Sequence, residues 1–198
     1  MNGRASVIER MRRRLFTASV AAMVVLAATQ ASAFDPSSPP QVATGTWQAA
    51  FSPWDDIEGL ITQAISGAQK QVLVQAYLLS NGRIASALIA AKQRGIDVQV
   101  LVDGQQLKTN GPSKVAKLAD AGIPVWLETK YRNAHNKVIV IDPLTADAAV
   151  ITGSFNFTWS AQHKNAENVL IVRHNPKLAA RYAFNWQRHR QDATPYIQ

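Results

Sequence analysis

Short apolar runs alternate with helix-period segments along most of this chain, and that alternation limits its fold more than any other feature. Gln71–Leu79 reads QVLVQAYLL, Asp97–Val102 reads DVQVLV and Lys137–Ile141 reads KVIVI. Such runs are short for helices and rich in Val and Ile, so they read as strands buried on both faces. Between them, Ile84–Arg94 is alanine-rich and closes at Gly95, and Ser113–Ala121 closes at Gly122, as helices do. Further strands are expected at 46–51, 124–128, 148–152 and 168–172. A helix is expected near 55–67, with Asp55, Asp56 and Glu58 in its first turn, where the helix dipole favours acids. A helical turn at 158–162 and a last helix at 176–190 complete the pattern. The polar stretch GQQLKTNGPSK, residues 104–114, reads as a loop. The fold class is therefore α/β: a mixed, largely parallel sheet flanked by helices on both faces.

Residues 1–33 read as an export signal. Arg4, Arg10, Arg12, Arg13 and Arg14 form a basic n-region, Leu15–Ala28 an apolar stretch, and Ala31-Ser32-Ala33 a small-residue cleavage site. Arg13-Arg14-Leu15-Phe16 resembles a twin-arginine signal, which leaves the export route open. The expected location is periplasmic or secreted, with no stable membrane association once the signal is removed. Residues 34–45, rich in Pro, Ser and Thr, read as a flexible mature N-terminus, and 46–198 as a single domain.

Removing the signal changes the charge. It holds five of the 21 basic residues and one of the 13 acidic ones, so the formal charge falls from +8 to +4. That value is compatible with a polyanionic ligand without demanding one. The chain has no cysteine, which excludes disulfides, thiolate metal sites and cysteine nucleophiles.

The chemistry concentrates in HNKVIVID, residues 135–142, an H-x-K-x4-D pattern that occurs once. By strand parity His135 and Lys137 share one face at the start of a buried strand, where solvent and ligand can reach them. Asp142 has the opposite parity and precedes Pro143, so a turn-forming or strand-ending role fits it better. A second cluster, Gly153-Ser154-Phe155-Asn156, offers small polar groups that can donate to phosphate oxygens, with Gly153 permitting close backbone approach. A capping role for Ser154 and Asn156 is the plainer alternative. Glu167 could accept from His135 and fix its tautomer. The other histidines do not repeat the pattern: His163 is followed at once by Lys164, and His174 and His189 are expected at the surface in or beside the last helix.

At this point the chain resembles the phospholipase D superfamily, in particular its short, single-motif, exported bacterial endonucleases. HNKVIVID, GSFNFTWSA and Asn165-Ala166-Glu167-Asn168 carry the resemblance, with VQAYLLS and RGIDVQVLVD upstream, over roughly residues 46–190. The resemblance implies a phospholipase D-like fold and a catalytic set of His135, Lys137, Asp142, Ser154, Asn156 and Glu167. His135 would attack phosphorus to form a phosphohistidine, Lys137 and Asn156 would stabilise the phosphoryl charge, Ser154 would assist, and Glu167 would orient His135. It implies no metal and no other cofactor. Because the motif is single, the second histidine should be His135 of another copy, in a homodimer with one composite site.

Nucleic acid is the expected substrate, DNA before RNA. Lys130 and Arg132 precede His135, Lys108 lies in the polar stretch, and such residues can track a phosphate backbone. Of the five tryptophans, read mainly as core, Trp159 is the candidate for stacking on a base. A phospholipid head-group hydrolase is the alternative, and a non-catalytic nucleic-acid-binding protein the alternative of another class.

Overall fold

A computed structural model describes residues 39–110 and 113–197. The expected export signal lies outside the described residues. The chain divides into residues 1–42 and residues 43–198. Residues 39–42 of the first unit are exposed coil; every element below belongs to the second.

In chain order these are β1 (Thr46–Ser52), α1 (Ile57–Ser66), β2 (Gln71–Ala76), α2 (Gly82–Gln93), β3 (Asp97–Asp103), α3 (Gly104–Asn110), α4 (Ser113–Asp120), β4 (Val125–Glu128), β5 (Lys137–Ile141), β6 (Ala149–Gly153), α5 (Trp159–His163), β7 (Glu167–Arg173), α6 (Pro176–Asp192) and β8 (Thr194–Pro195). The strands form one eight-stranded sheet in the order β1-β7-β6-β5-β2-β3-β4-β8.

The sheet is mixed and carries helices on both faces, but parallel pairing is a smaller part of it than the sequence suggests. Only β2–β3 and β3–β4 are parallel. The pairs β1–β7, β7–β6, β6–β5, β5–β2 and β4–β8 are antiparallel. Parallel neighbours need a crossover, which α2 and the α3–α4 segment supply, whereas the short connection from β5 to β6 suits antiparallel neighbours; β6 reaches β7 through a longer segment that contains α5. A second correction concerns the stretch 104–114 read as a loop: of its described residues, 104–110 form α3 and 113–114 begin α4. The helical start is capped from the strand before it: Asp103 Oδ1 accepts from the Gln106 N–H at 2.8 Å.

Strand alternation builds two cores. Val72, Val74, Val98, Val100, Ile139 and Ile141 face α1, α2 and α4, meeting Ile61, Ile84, Leu88 and Leu118. Leu73, Leu101, Val138, Val140 and Val150 face α6, where Trp186 is buried and its indole N–H donates to the Val74 carbonyl at 2.8 Å. Helix α6 packs on β6, β5, β2 and β4. On the same face, Trp47 and Phe51 of β1 and Leu170 of β7 stay exposed. The expectation of a mainly buried tryptophan set therefore holds for Trp186 but not for Trp47 or Trp54, both exposed; Trp159, the stacking candidate, is exposed too. Among the described residues no helix is long and apolar enough to cross a membrane.

Candidate active site

The antiparallel run β2-β5-β6-β7 brings the end of β2, the start of β5, the end of β6 and the start of β7 to one edge of the sheet. The two sequence clusters meet there because of that topology. His135 stands just before β5 and is exposed. The Tyr77 N–H donates to the Asn136 carbonyl at 2.8 Å. The Tyr77 ring then packs against the His135 imidazole, centroids 4.3 Å apart at 58°. Lys137, the first residue of β5, is only 7% exposed. Its ammonium donates to the His135 carbonyl at 2.8 Å and lies 4.8 Å from the centroid of the Tyr77 ring. Burial holds the Lys137 amine below its ordinary pKa, and the negative charge of Glu167 opposes that shift.

Gly153 ends β6, and Ser154 and Asn156 lie just beyond it. A Cβ on Gly153 would sit 2.2 Å from the carbonyl oxygen of Asn168, so glycine is what lets β6 and β7 close here. Ser154 and Glu167 share a network. The Ser154 hydroxyl donates to Glu167 Oε2 at 2.6 Å and accepts from the Asn168 N–H at 3.1 Å, while the Asn165 amide donates to Glu167 Oε1 at 3.0 Å. Within one chain, Glu167 therefore binds Ser154 and Asn165; no hydrogen bond joins it to His135 among the described residues. Asn156 sits between the buried anchors Phe155 and Phe157, whose loop is tied to 78–81 by main-chain hydrogen bonds such as Ser80 N–H to the Phe157 carbonyl at 2.9 Å. Asn156 Oδ1 is buried and lacks a hydrogen-bond partner among the described residues.

Asp142 does not join this group. It lies at the far end of β5, roughly 17 Å from Lys137 at about 3.3 Å per residue. It is buried with φ at 47°. Its carboxylate accepts from the main-chain N–H groups of Gln69, Lys70 and Gln71 at 2.8, 2.7 and 2.8 Å. Asp142 thus fixes the turn from α1 into β2, the supporting role its parity suggested.

The substrate-binding candidates separate as well. Lys130 is exposed and paired with Asp192 at 2.6 Å, which raises its pKa. Lys108 and Arg132 are exposed, on α3 and in the loop before His135. Trp159 is exposed as the first residue of α5. A cleft of about 300 Å³ opens beside the site, lined by Tyr77, Ser80, Asp103, Gln106, Asn156 and Thr158 among others.

Asp103 and Glu128 went unread in the sequence, and His189 was misplaced. Asp103 is buried at the end of β3, and its Oδ2 accepts from the Ala134 N–H at 2.7 Å, one residue before His135. His189 is not the surface residue expected: its Nδ1 lies 2.6 Å from buried Glu128, which also accepts from Gln75 at 3.0 Å, and its ring packs on Tyr131. Both hold the loop that carries His135. A carboxylate ending an apolar strand was the only available signal for Asp103 and Glu128. Among the described residues, no group of three or more His, Asp or Glu side chains is placed to hold a metal ion.

Residues 61–189 match the family model described as cardiolipin synthase, PLD-like domain. The chain belongs to the phospholipase D superfamily. Its superfamily relatives include a phospholipase D of Rickettsia prowazekii, 43% identical over 136 residues, which are 69% of this chain and 63% of that protein. The matched part is thus less than two thirds of that relative. Among solved phospholipase D family members, Nuc from Salmonella typhimurium aligns over 78% of this chain and all of its own, with 32% identity and a TM-score of 0.71. NucT from Helicobacter pylori shares the fold at 22% identity, over 76% of this chain and all of its own, with a TM-score of 0.67.

Proposed function

We propose that the protein is an exported, metal-independent phosphodiesterase, an endonuclease of DNA with RNA as a further substrate, acting through a phosphohistidine at a site shared by two copies. The observation that carries this reading is Lys137. A lysine that is 7% exposed is costly to a fold. Its hydrogen bond goes to a neutral carbonyl, and no salt bridge among the described residues engages it. The ammonium is therefore kept beside His135 with its charge free for an anion.

An imidazole nitrogen of His135 attacks phosphorus and the ester P–O bond breaks. The leaving oxygen takes the electron pair and a proton from the imidazolium of the second copy's His135. That histidine, now neutral, takes a proton from water, whose oxygen attacks phosphorus. The N–P bond breaks and its electron pair returns to His135. Lys137 and Asn156 neutralise charge on the transferring group, and Ser154 assists. In its own chain Glu167 binds Ser154 and Asn165, and in the shared site it orients the histidine of the second copy.

The open face of the sheet supports the pairing. Trp47 and Phe51 of β1 and Leu170 of β7 form an apolar strip that α6 leaves uncovered, and Phe184 on α6 is 65% exposed. A two-fold axis would lay α6 of each copy on the strip of the other, which satisfies both patches at once. The strip runs along β7 to Asn168 and so reaches the site.

A phospholipid reading is favoured by the phospholipase D name of the Rickettsia relative and by the cardiolipin synthase description of the matching family model. One experiment separates the readings: single- and double-stranded DNA, RNA and phospholipid vesicles incubated with the protein in EDTA. Cleavage of nucleic acid that survives EDTA and is abolished by His135→Ala is expected. Turnover of phospholipid alone would contradict the nuclease reading, and binding without cleavage would favour a non-catalytic nucleic-acid-binding protein.

A further inference from the structure

We infer that Trp159 is a stacking platform for an unpaired base, and that the site therefore acts on single-stranded nucleic acid in preference to duplex. This rests on the nuclease reading above and adds a strand preference to it.

Trp159 opens α5, and its neighbour Thr158 caps that helix by accepting from the Ala161 N–H at 3.1 Å. Thr158 and Ser160, on either side of it, both line the cleft that contains Asn156. Trp159 thus stands at the rim of the site, three residues beyond a phosphoryl contact.

The indole is also held in a fixed attitude. The His163 ring stacks on it with centroids 4.5 Å apart at 11°, and His163 Nδ1 is 3.0 Å from the Trp159 carbonyl. One face is thereby supported, yet the residue is 53% exposed. An exposed tryptophan that is braced rather than free loses little entropy when a flat ring lies on it. The Lys164 ammonium lies 5.4 Å from the same ring, within reach of the phosphate of a stacked nucleotide.

A base can occupy such a platform only when it has left its partner. In a duplex the base faces are filled by neighbouring pairs, and a tryptophan outside the helix meets phosphate and sugar instead. Stacking on an aromatic side chain is tolerant of base identity. Trp159 therefore favours unpaired strands without selecting a sequence.

The test uses full-length protein with Trp159→Ala and Trp159→Phe. Substrates are a labelled oligonucleotide, the same oligonucleotide annealed to its complement, and bis(p-nitrophenyl) phosphate, which reports the chemistry without a base. Trp159→Ala should raise KM for the single strand roughly tenfold with kcat unchanged. It should leave the duplex and the small diester within about twofold, and Trp159→Phe should recover most of the loss. Equal losses on both strand forms, or none on either, would overturn the inference. A parallel collapse of small-diester turnover would overturn it too, because Trp159 would then be holding the fold. A wild-type protein that turns over phospholipid and no nucleic acid removes the nuclease reading and this one together, a result distinct from the three above.

Discussion

The ammonium of Lys137 donates a 2.8 Å hydrogen bond to the main-chain carbonyl of His135, so the charge and the proposed nucleophile are fastened to each other. Burial depresses the Lys137 pKa, and this gives activity and stability opposite demands. Phosphoryl stabilisation needs the charged amine, so the alkaline limb of activity should fall below the ordinary lysine value of 10.5. The folded protein releases this proton at lower pH than the unfolded chain does. Between the folded and unfolded pKa values the unfolded state binds more protons, so this group's contribution to stability rises with pH there. Lys137→Met should accordingly lose about 10²–10³-fold in kcat while melting at a higher temperature than wild type. A pH-rate profile and a melting curve on the same preparation check both.

Asp142 should matter to stability and not to chemistry. Asp142→Ala leaves three main-chain N–H groups without their acceptor and puts alanine at a positive φ. A loss of about 3 kcal/mol is expected by denaturant unfolding. Turnover per folded molecule should stay at the wild-type value, and Asp142→Asn, which tolerates the same backbone and still accepts, should lose less.

Asp103 is a positioning residue. Its carboxylate joins the start of α3 to the Ala134 N–H next to His135. Asp103→Ala should lower kcat about tenfold with a smaller change in KM. Asp103→Asn, which keeps one accepting oxygen, should recover part of the loss. Steady-state kinetics on the two variants separates this from simple unfolding, which would leave KM and kcat of the surviving molecules unchanged.

Much of this geometry is legible in the chain. The two-residue period of a buried strand puts His135 and Lys137 on one face, and the same period sets Asp142 apart from them. The fold class follows from Val- and Ile-rich runs. What the pattern does not carry is pairing. The sequences of β5, β6 and β7 do not announce that these strands pair antiparallel. Asp103 and Glu128 look like ordinary strand ends because their partners, Ala134 and His189, are distant in sequence. Residues 104–114 look like a loop because the acid that caps α3 belongs to the preceding strand. Glu167 is legible as a site residue, but its hydrogen bonds to Ser154 and Asn165 depend on how β6 meets β7 at Gly153.

Phe184→Asp should disperse the pair without disturbing the fold, since Phe184 is exposed in the single chain. Light scattering should show a monomer with an unchanged melting curve, and turnover should fall with it. Retained activity in a proven monomer would remove the need for the open sheet face.

The shared site is tested most directly by mixing subunits. Wild-type and His135→Ala chains, co-expressed and purified together at known ratios, form mixed pairs that hold one histidine where two are needed. Turnover should fall as the square of the wild-type fraction, to about one quarter of the wild-type rate at equal amounts. A fall in simple proportion to the wild-type fraction would mean that each chain acts alone, and would contradict the account.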